Sequence, residues 1–183
     1  THIQQDKKDS MPMANILFRG QYDKPKDKVT GGVPAVLHAM PKGAPTNRLG
    51  LAKWINAPEN PLTARVTVNR FWERLFGTGI VKTSEDFGKQ SEAPSHPELL
   101  DWLASEFMRG GWRLKPLHRL ILMSNAYRQS STHQASPAAD PENRFYARFK
   151  MRRLDAETMR DSSLAIAGAL MQTSYGAPSS IGR

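Results

Sequence analysis

The chain has 183 residues, 39% of them hydrophobic, and carries 26 Lys/Arg against 17 Asp/Glu for a net charge of +9. That is enough chain for one globular domain with an appended arm, and a core of that size needs no covalent staple. The absence of cysteine excludes disulfides, thiol nucleophiles, cysteine-ligated zinc and haem attachment within the chain, and no run of apolar residues is long enough to span a membrane.

Residues 1–46 include FRGQYDKPKDKVTGGVPAVLHAMPKGAP, where Pro and Gly recur every few positions without a sustained period. This reads as an extended arm with at most a short strand at Ile16–Arg19. Val33, Val36 and Leu37 are expected to dock it on a globular body. The polar start lacks the apolar stretch of a signal peptide, and a chain opening at Thr1 reads as a processed product or an excised piece.

Helical signals begin at Asn47. Leu49, Ala52, Trp54 and Ile55 fall near one face, and Pro58 ends the helix. A second helix starts with Asn60 as N-cap and Pro61 at its first position, where a missing N–H is harmless. It runs to Phe76, with Gly77 as a left-handed C-cap. Leu62, Val66, Trp72 and Phe76 lie near one side, and Val68, Phe71 and Leu75 widen the arc. The stretch NRFWERLFGTGIV, residues 69–81, therefore reads as a core helix and its cap. Its GTG follows a helix, whereas a dinucleotide-binding glycine loop follows a strand. Asn69 sits inside the apolar arc, either in a satisfied network or lining a pocket. The network is the better reading, because buried amides are usually hydrogen-bonded.

A long connection follows at 78–95. Its Asp86-Phe87-Gly88 matches three letters of a kinase motif without the glycine loop, paired lysine or catalytic aspartate. Phe87 reads as a hydrophobic plug and Gly88 as a turn. Ser95 and Glu98 fit a capping box for a third helix. Its inward residues are expected to be Leu99, Trp102, Leu103, Phe107 and Leu100, with Gly110 or Gly111 as terminator. A fourth helix starts near Lys115 with Leu117, Leu120, Ile121 and Ser124 as its stripe, broadened by Leu122 and Met123. Residues 129–140 form a loop. Asp140-Pro141 restarts a short helix through Ala147. A last helix begins near Asp155, with Leu154, Met159, Ala165, Ile166 and Leu170 inward. The fold class is thus mainly α: a single irregular domain of five or six helices with long ordered loops. The expected divisions are an arm at 1–46, a helical domain at 47–172 and a polar tail at 173–183. Trp72, Phe76, Trp102, Leu103, Leu120 and Ile121 are expected to be mutually buried.

Catalytic patterns are sparse. His2, His38, His96, His118 and His133 form no metal-ligand spacing, and no nucleophile elbow is present. The acid pairs Glu85/Asp86 and Glu98/Asp101 are more readily explained by helix starts than by acid–base work. His96, between Ser95 and Pro97, reads as a loop latch in preference to a general base. No catalytic residue is assigned. Arginine is the richest functional pool: Arg65, Arg70, Arg74, Arg128, Arg152, Arg153 and Arg160 could pair internally or converge on an anion. The candidate polar network or anion site comprises Asn69, Arg70, Asp86, His96, Arg128, Arg153 and Asp155. The loop from Thr78 to Ser95 is expected to be ordered and tied to the second and last helices, with Asp86 accepting from arginine or backbone N–H groups. Residues 107–160 hold eleven Lys/Arg against four Asp/Glu, a local +7. Such charge attracts polyanions without specifying one.

Four stretches carry a family resemblance. NRLGLAKWINAPENPLTARVTVNRFWERLFGTGIVKTSEDFG, PSHPELLDWLASEF, GWRLKPLHRLILMSNAYRQSS and DPENRFYARFKMRRLDAETMRDSSLAIAG resemble the planctomycete PSD domain, domain of unknown function 1553. The upstream RGQYDKPKDKVTGGVPAVL resembles that family's approach segment. The resemblance covers nearly the whole chain, and it implies no activity, since none is established for the family. It implies a setting: the C-terminal side of a large exported bacterial protein, after a cytochrome c segment, with an extracytoplasmic location. The haem would then lie elsewhere in the parent, with no cofactor in this chain. The family pattern continues beyond Arg183, so the helical domain is expected to be truncated there.

The first functional reading is a non-catalytic interaction or structural domain that contacts neighbouring domains of its parent and binds an anionic glycan or partner. The second is an uncharacterised enzyme acting on polysaccharide, with its site near Asn69, Arg70 and residues 78–96. The third is non-specific nucleic-acid binding through a basic face.

Overall fold

The computed structural model describes residues 13–132 and 140–171. The expected tail at 173–183, most of the 129–140 loop and the first twelve residues lie wholly or largely outside that range. The fold is mainly α. Two strands and six α-helices are described: β1 (Ala14–Leu17), β2 (Pro25–Val29), α1 (Arg48–Ile55), α2 (Thr63–Phe76), α3 (Pro97–Arg109), α4 (Leu114–Leu122), α5 (Asn125–Arg128) and α6 (Ala156–Ile166). The chain divides into two units, residues 1–149 and 150–183, and that boundary falls inside the segment read from sequence as one helical domain.

The arm is more structured than its composition suggests. β1 and β2 pair antiparallel as a hairpin, with Ala14 opposite Val29 and an irregularity between Asn15 and Leu17. Val36 is exposed and takes no part in docking. Val33 and Leu37 are half-buried, and His38 makes the contact with α1. Its ring stacks on Trp54 of α1 with centroids 4.8 Å apart and planes 6° from parallel. The Trp54 indole N–H donates to the His38 carbonyl at 2.8 Å, and His38 Nε2 donates to the Trp54 carbonyl at 3.0 Å. Because a carbonyl only accepts, that bond fixes the proton on Nε2. Nδ1 is left buried without a partner.

Asn47 caps α1, its side chain accepting from the Gly50 N–H at 3.1 Å. Of the expected inward face, only Trp54 is buried; Leu49 and Ile55 are exposed. Asn60 accepts from the N–H groups of Leu62 and Thr63, so it satisfies orphan donors although the helix itself opens at Thr63. The buried face of α2 is Ala64, Val68, Asn69, Trp72 and Phe76, the i, i+4 ladder of a helix packed along one side. Leu62 is exposed. Gly77 ends α2 in the left-handed region at φ 83°, where a side chain would clash.

Three of the five residues expected inward on α3, Leu100, Leu103 and Phe107, are buried, and Leu99 packs half-buried against the core. Leu100, Leu103, Ala104 and Phe107 face α2, while Trp102 is 48% exposed. No capping box forms. Ser95 turns back instead, its N–H donating to the Ile80 carbonyl at 2.9 Å, and Pro97 opens the helix. Arg65 of α2 bonds Asp101 of α3 at 2.6 Å, which draws the Asp101 carboxyl below its ordinary range. In α4 only Leu117 and Ile121 are buried; Leu120 is 41% and Met123 59% exposed. The expected continuous fourth helix is broken at Ser124, whose hydroxyl accepts from the Tyr127 N–H and starts α5.

Residues 141–147 form turns, not a helix. The Asp140 carboxylate takes the N–H groups of Arg144 and Phe145, and Asn143 and Tyr146 adopt φ values of 55° and 53°. Those left-handed conformations are incompatible with continuing an α-helix. In the second unit, Asp155 caps α6 by accepting from the Thr158 N–H at 2.7 Å. Leu154, Met159 and Ile166, expected as core, are exposed, and α6 has no buried residue.

Candidate functional site

The residues expected to form a polar network or anion site do different jobs. Asn69 is fully buried. Its Nδ2 donates to the Val81 carbonyl at 3.0 Å and the Ser84 hydroxyl at 2.9 Å, while Oδ1 accepts from the Val81 N–H at 2.9 Å. The amide thus mimics a neighbouring strand and clamps the loop after α2 onto the helix. Gly79 completes the clamp: a Cβ there would lie 2.7 Å from Asn69 Nδ2 and 2.4 Å from the Val81 carbonyl oxygen. The second glycine of GTG is therefore a close-approach residue.

Asp86 is not part of that network. Its carboxylate accepts from the Gly88 N–H at 2.7 Å, closing a turn within its own loop. Phe87 packs on the core, as a plug should. His96 Nδ1 lies 3.0 Å from the Ser95 hydroxyl, and its ring contacts Phe145 and Tyr146 at 6.1 and 5.7 Å. Arg70 and Arg128 are exposed. Arg153 and Asp155 belong to the second unit, where both are exposed and Asp155 serves as the cap of α6.

Tyr146 was not singled out by sequence. Its phenol donates to the Thr78 carbonyl at 3.1 Å, and its ring meets Trp72 and Phe76 edge-on, each at 5.3 Å. Burial pushes the phenol pKa up. The Trp72 indole N–H lies near enough to the Tyr146 oxygen to oppose that shift, yet it makes no hydrogen bond of good geometry. This constellation closes the loop–helix junction.

The open feature lies beside α3, and Trp72 of α2 contributes to its lining. A groove of about 660 Å³ runs between α3 and the α4–α5 break. Leu99 and Trp102 form one wall, Leu120 and Met123 the other, and Leu103 and Ile121 the floor. A second depression of about 310 Å³ continues along α4 toward Arg113, sharing Pro116 and Leu120. The apolar lining results from adjacent apolar pairs, Leu99-Leu100, Trp102-Leu103 and Leu120-Ile121. In each, one member fills the core, while the other lines the groove, exposed in Trp102 and Leu120 and half-buried in Leu99. The cationic residues Arg113, Lys115 and Arg119 stand exposed along α4. On α3, by contrast, Asp101 is engaged by Arg65 and Glu106 by Arg109. The sequence signal was present in these doublets, which make an apolar arc wider than one neighbour can cover.

Fold and groove together define a small, mainly α module with a sealed polar clamp on one side and an open apolar track on the other. No described helix is long and apolar enough to cross a membrane. A family model described as PSD1, protein of unknown function (DUF1553), matches residues 47–182, and the chain belongs to that family. No curated protein and no solved structure matches it.

Proposed function

We propose that the chain is a non-catalytic interaction domain that docks a neighbouring segment of a larger exported, cytochrome c-linked bacterial polypeptide. The observation that carries this reading is the solvent-facing Trp102, Leu120 and Met123, side by side in one groove. Exposed apolar residues scattered singly need no explanation, but a contiguous set with a cationic border resembles an interface core and rim. Tryptophan is enriched among residues that dominate binding energy, and methionine adapts to irregular partners. A covalently tethered c-type haem would sit elsewhere in the parent, because this chain has no cysteine to hold one. An extracytoplasmic setting is part of the same proposal and rests on the family resemblance alone.

The exposed Arg70, Arg113, Lys115, Arg119 and Arg128 support a secondary, salt-sensitive attraction to anionic polysaccharide. Nucleic acid ranks below it, since the aromatic side chains lie mostly in the core and offer no stacking platform. The polysaccharide-enzyme reading would need Asp86 to face a cleft beside His96, whereas Asp86 closes a turn with Gly88.

The test is a photo-crosslinking residue placed at Met123 in the parent polypeptide, with the exposed Tyr22 as control position. The expected result is a defined crosslink from 123 to one segment of a neighbouring domain and none from 22. Equal, diffuse labelling from both positions would refute the reading.

A further inference from the structure

The geometry points to an amphipathic helix with acidic residues along one flank as the partner of the α3–α4 groove. This rests on the reading that the groove docks polypeptide, and adds the chemistry of what enters it. Three observations converge. The track follows α4, whose nine residues rise roughly 13 Å, so it accommodates two to three turns of a partner helix. The floor and walls are apolar side chains spaced along two helices, the arrangement that accepts residues at i, i+3, i+4 and i+7. The borders differ in charge. Arg113, Lys115 and Arg119 stand exposed on the α4 side. Arg113 gives its Nε–H to the Gly110 carbonyl, a neutral acceptor, and lines the depression that continues the track. On the α3 side Asp101 and Glu106 already hold arginines. A helix lying in the track would therefore turn its apolar stripe inward and its acidic flank toward α4. A basic flank would meet like charge there.

The experiment uses the full 183-residue chain and a displayed library of helices about 16 residues long. Leu and Phe occupy the inward positions, and both flanks are randomised among Glu, Lys and Gln. Selected binders are expected to carry Glu on one flank and to lose binding to Leu120→Glu. Against Arg113→Gln/Arg119→Gln their preference for Glu over Gln should fall by about threefold to tenfold, the scale of two exposed ion pairs at low salt. Circular dichroism and thermal midpoints confirm that each variant is folded. Three results would overturn the inference: binders with Lys or Gln flanks, binders indifferent to Leu120→Glu, or no binders at all. A concentration-dependent dimer abolished by Leu120→Glu would also overturn it, by assigning the groove to a second copy. If binders lack acidic flanks but Met123 still crosslinks to one segment of the parent, only the chemistry of the partner is wrong. If neither binders nor crosslink appear, the docking reading itself fails.

Discussion

The α2–α3 interface and the α3–α4 groove are made of the same residue types, and the difference between them is one of coverage. On the first face, Leu100, Leu103 and Phe107 meet Val68, Trp72 and Phe76, and Tyr127 and Tyr146 close the edges of Phe76. On the second, Leu99, Trp102, Leu120 and Met123 line a space that no other described element of residues 13–149 fills. Helix α3 is apolar around more of its circumference than α2 can cover. Burial of a large apolar residue thus depends on where the neighbouring helix lies, not on the residue itself.

Deleting buried volume should separate the two faces most strongly. Phe76→Ala is expected to destabilise by about 3–5 kcal/mol, the range for an aromatic removed from a packed core. Trp102→Ala should cost less, about 1–3 kcal/mol, because half of the residue already meets water. Urea titration of both variants measures the contrast, and equal midpoints would erase it.

The polar clamp gives the next effect. Asn69→Ala strands the Val81 N–H and carbonyl and the Ser84 hydroxyl, at about 1–3 kcal/mol for each group left buried without a partner. Local hydrogen exchange should rise at Val81 more than in α4. Asp86→Ala is a smaller perturbation. Its partner is an exposed backbone N–H that water can satisfy, so the loss should stay within about 0.5 kcal/mol. A larger loss would mean that the loop depends on Asp86 as it does on Asn69.

The smallest effect is one of pH. The N–H groups of Phe145 and then Arg144 hold the Asp140 carboxyl below its ordinary value. A depressed carboxyl stabilises the fold above its unfolded pKa of about 3.9, and that contribution disappears as pH falls through the lower folded value. In Asp140→Asn the acid limb of the stability curve should flatten slightly, and stability between pH 6 and 8 should be slightly and uniformly lower. A new pH dependence between pH 6 and 8 would implicate a different group.

The sequence made some of these features legible and concealed others for identifiable reasons. α2, its Gly77 terminator and the burial of Asn69 were readable, because a long periodic helix with a strong cap leaves little choice. The outward turn of Trp102 on α3 was not, since the doublet Trp102-Leu103 fits two inward faces equally well. Leu120 and Ile121 raised the same ambiguity in α4, and reading both as core hid the groove. The break at Ser124 lacks proline or glycine; it comes from a hydroxyl that competes for the Tyr127 N–H. Pro141 imitated a helix start, but Asp140 uses its two carboxylate oxygens to hold a turn. The hairpin in the arm was missed because β2, PKDKV, is polar and exposed, with no apolar alternation to mark it.

The central claim, an open docking face beside a sealed core, is tested most directly by Leu120→Glu and its neighbour Ile121→Glu measured together. Each variant is scored for thermal midpoint and for crosslinking from position 123. The account predicts that Leu120→Glu shifts the midpoint by no more than about 4 °C, the equivalent of roughly 1 kcal/mol in a chain of this size, and abolishes the crosslink. Ile121→Glu, which buries a charge, should unfold the domain. If the two substitutions destabilise alike, or if Leu120→Glu leaves the crosslink intact, the groove is not a docking surface.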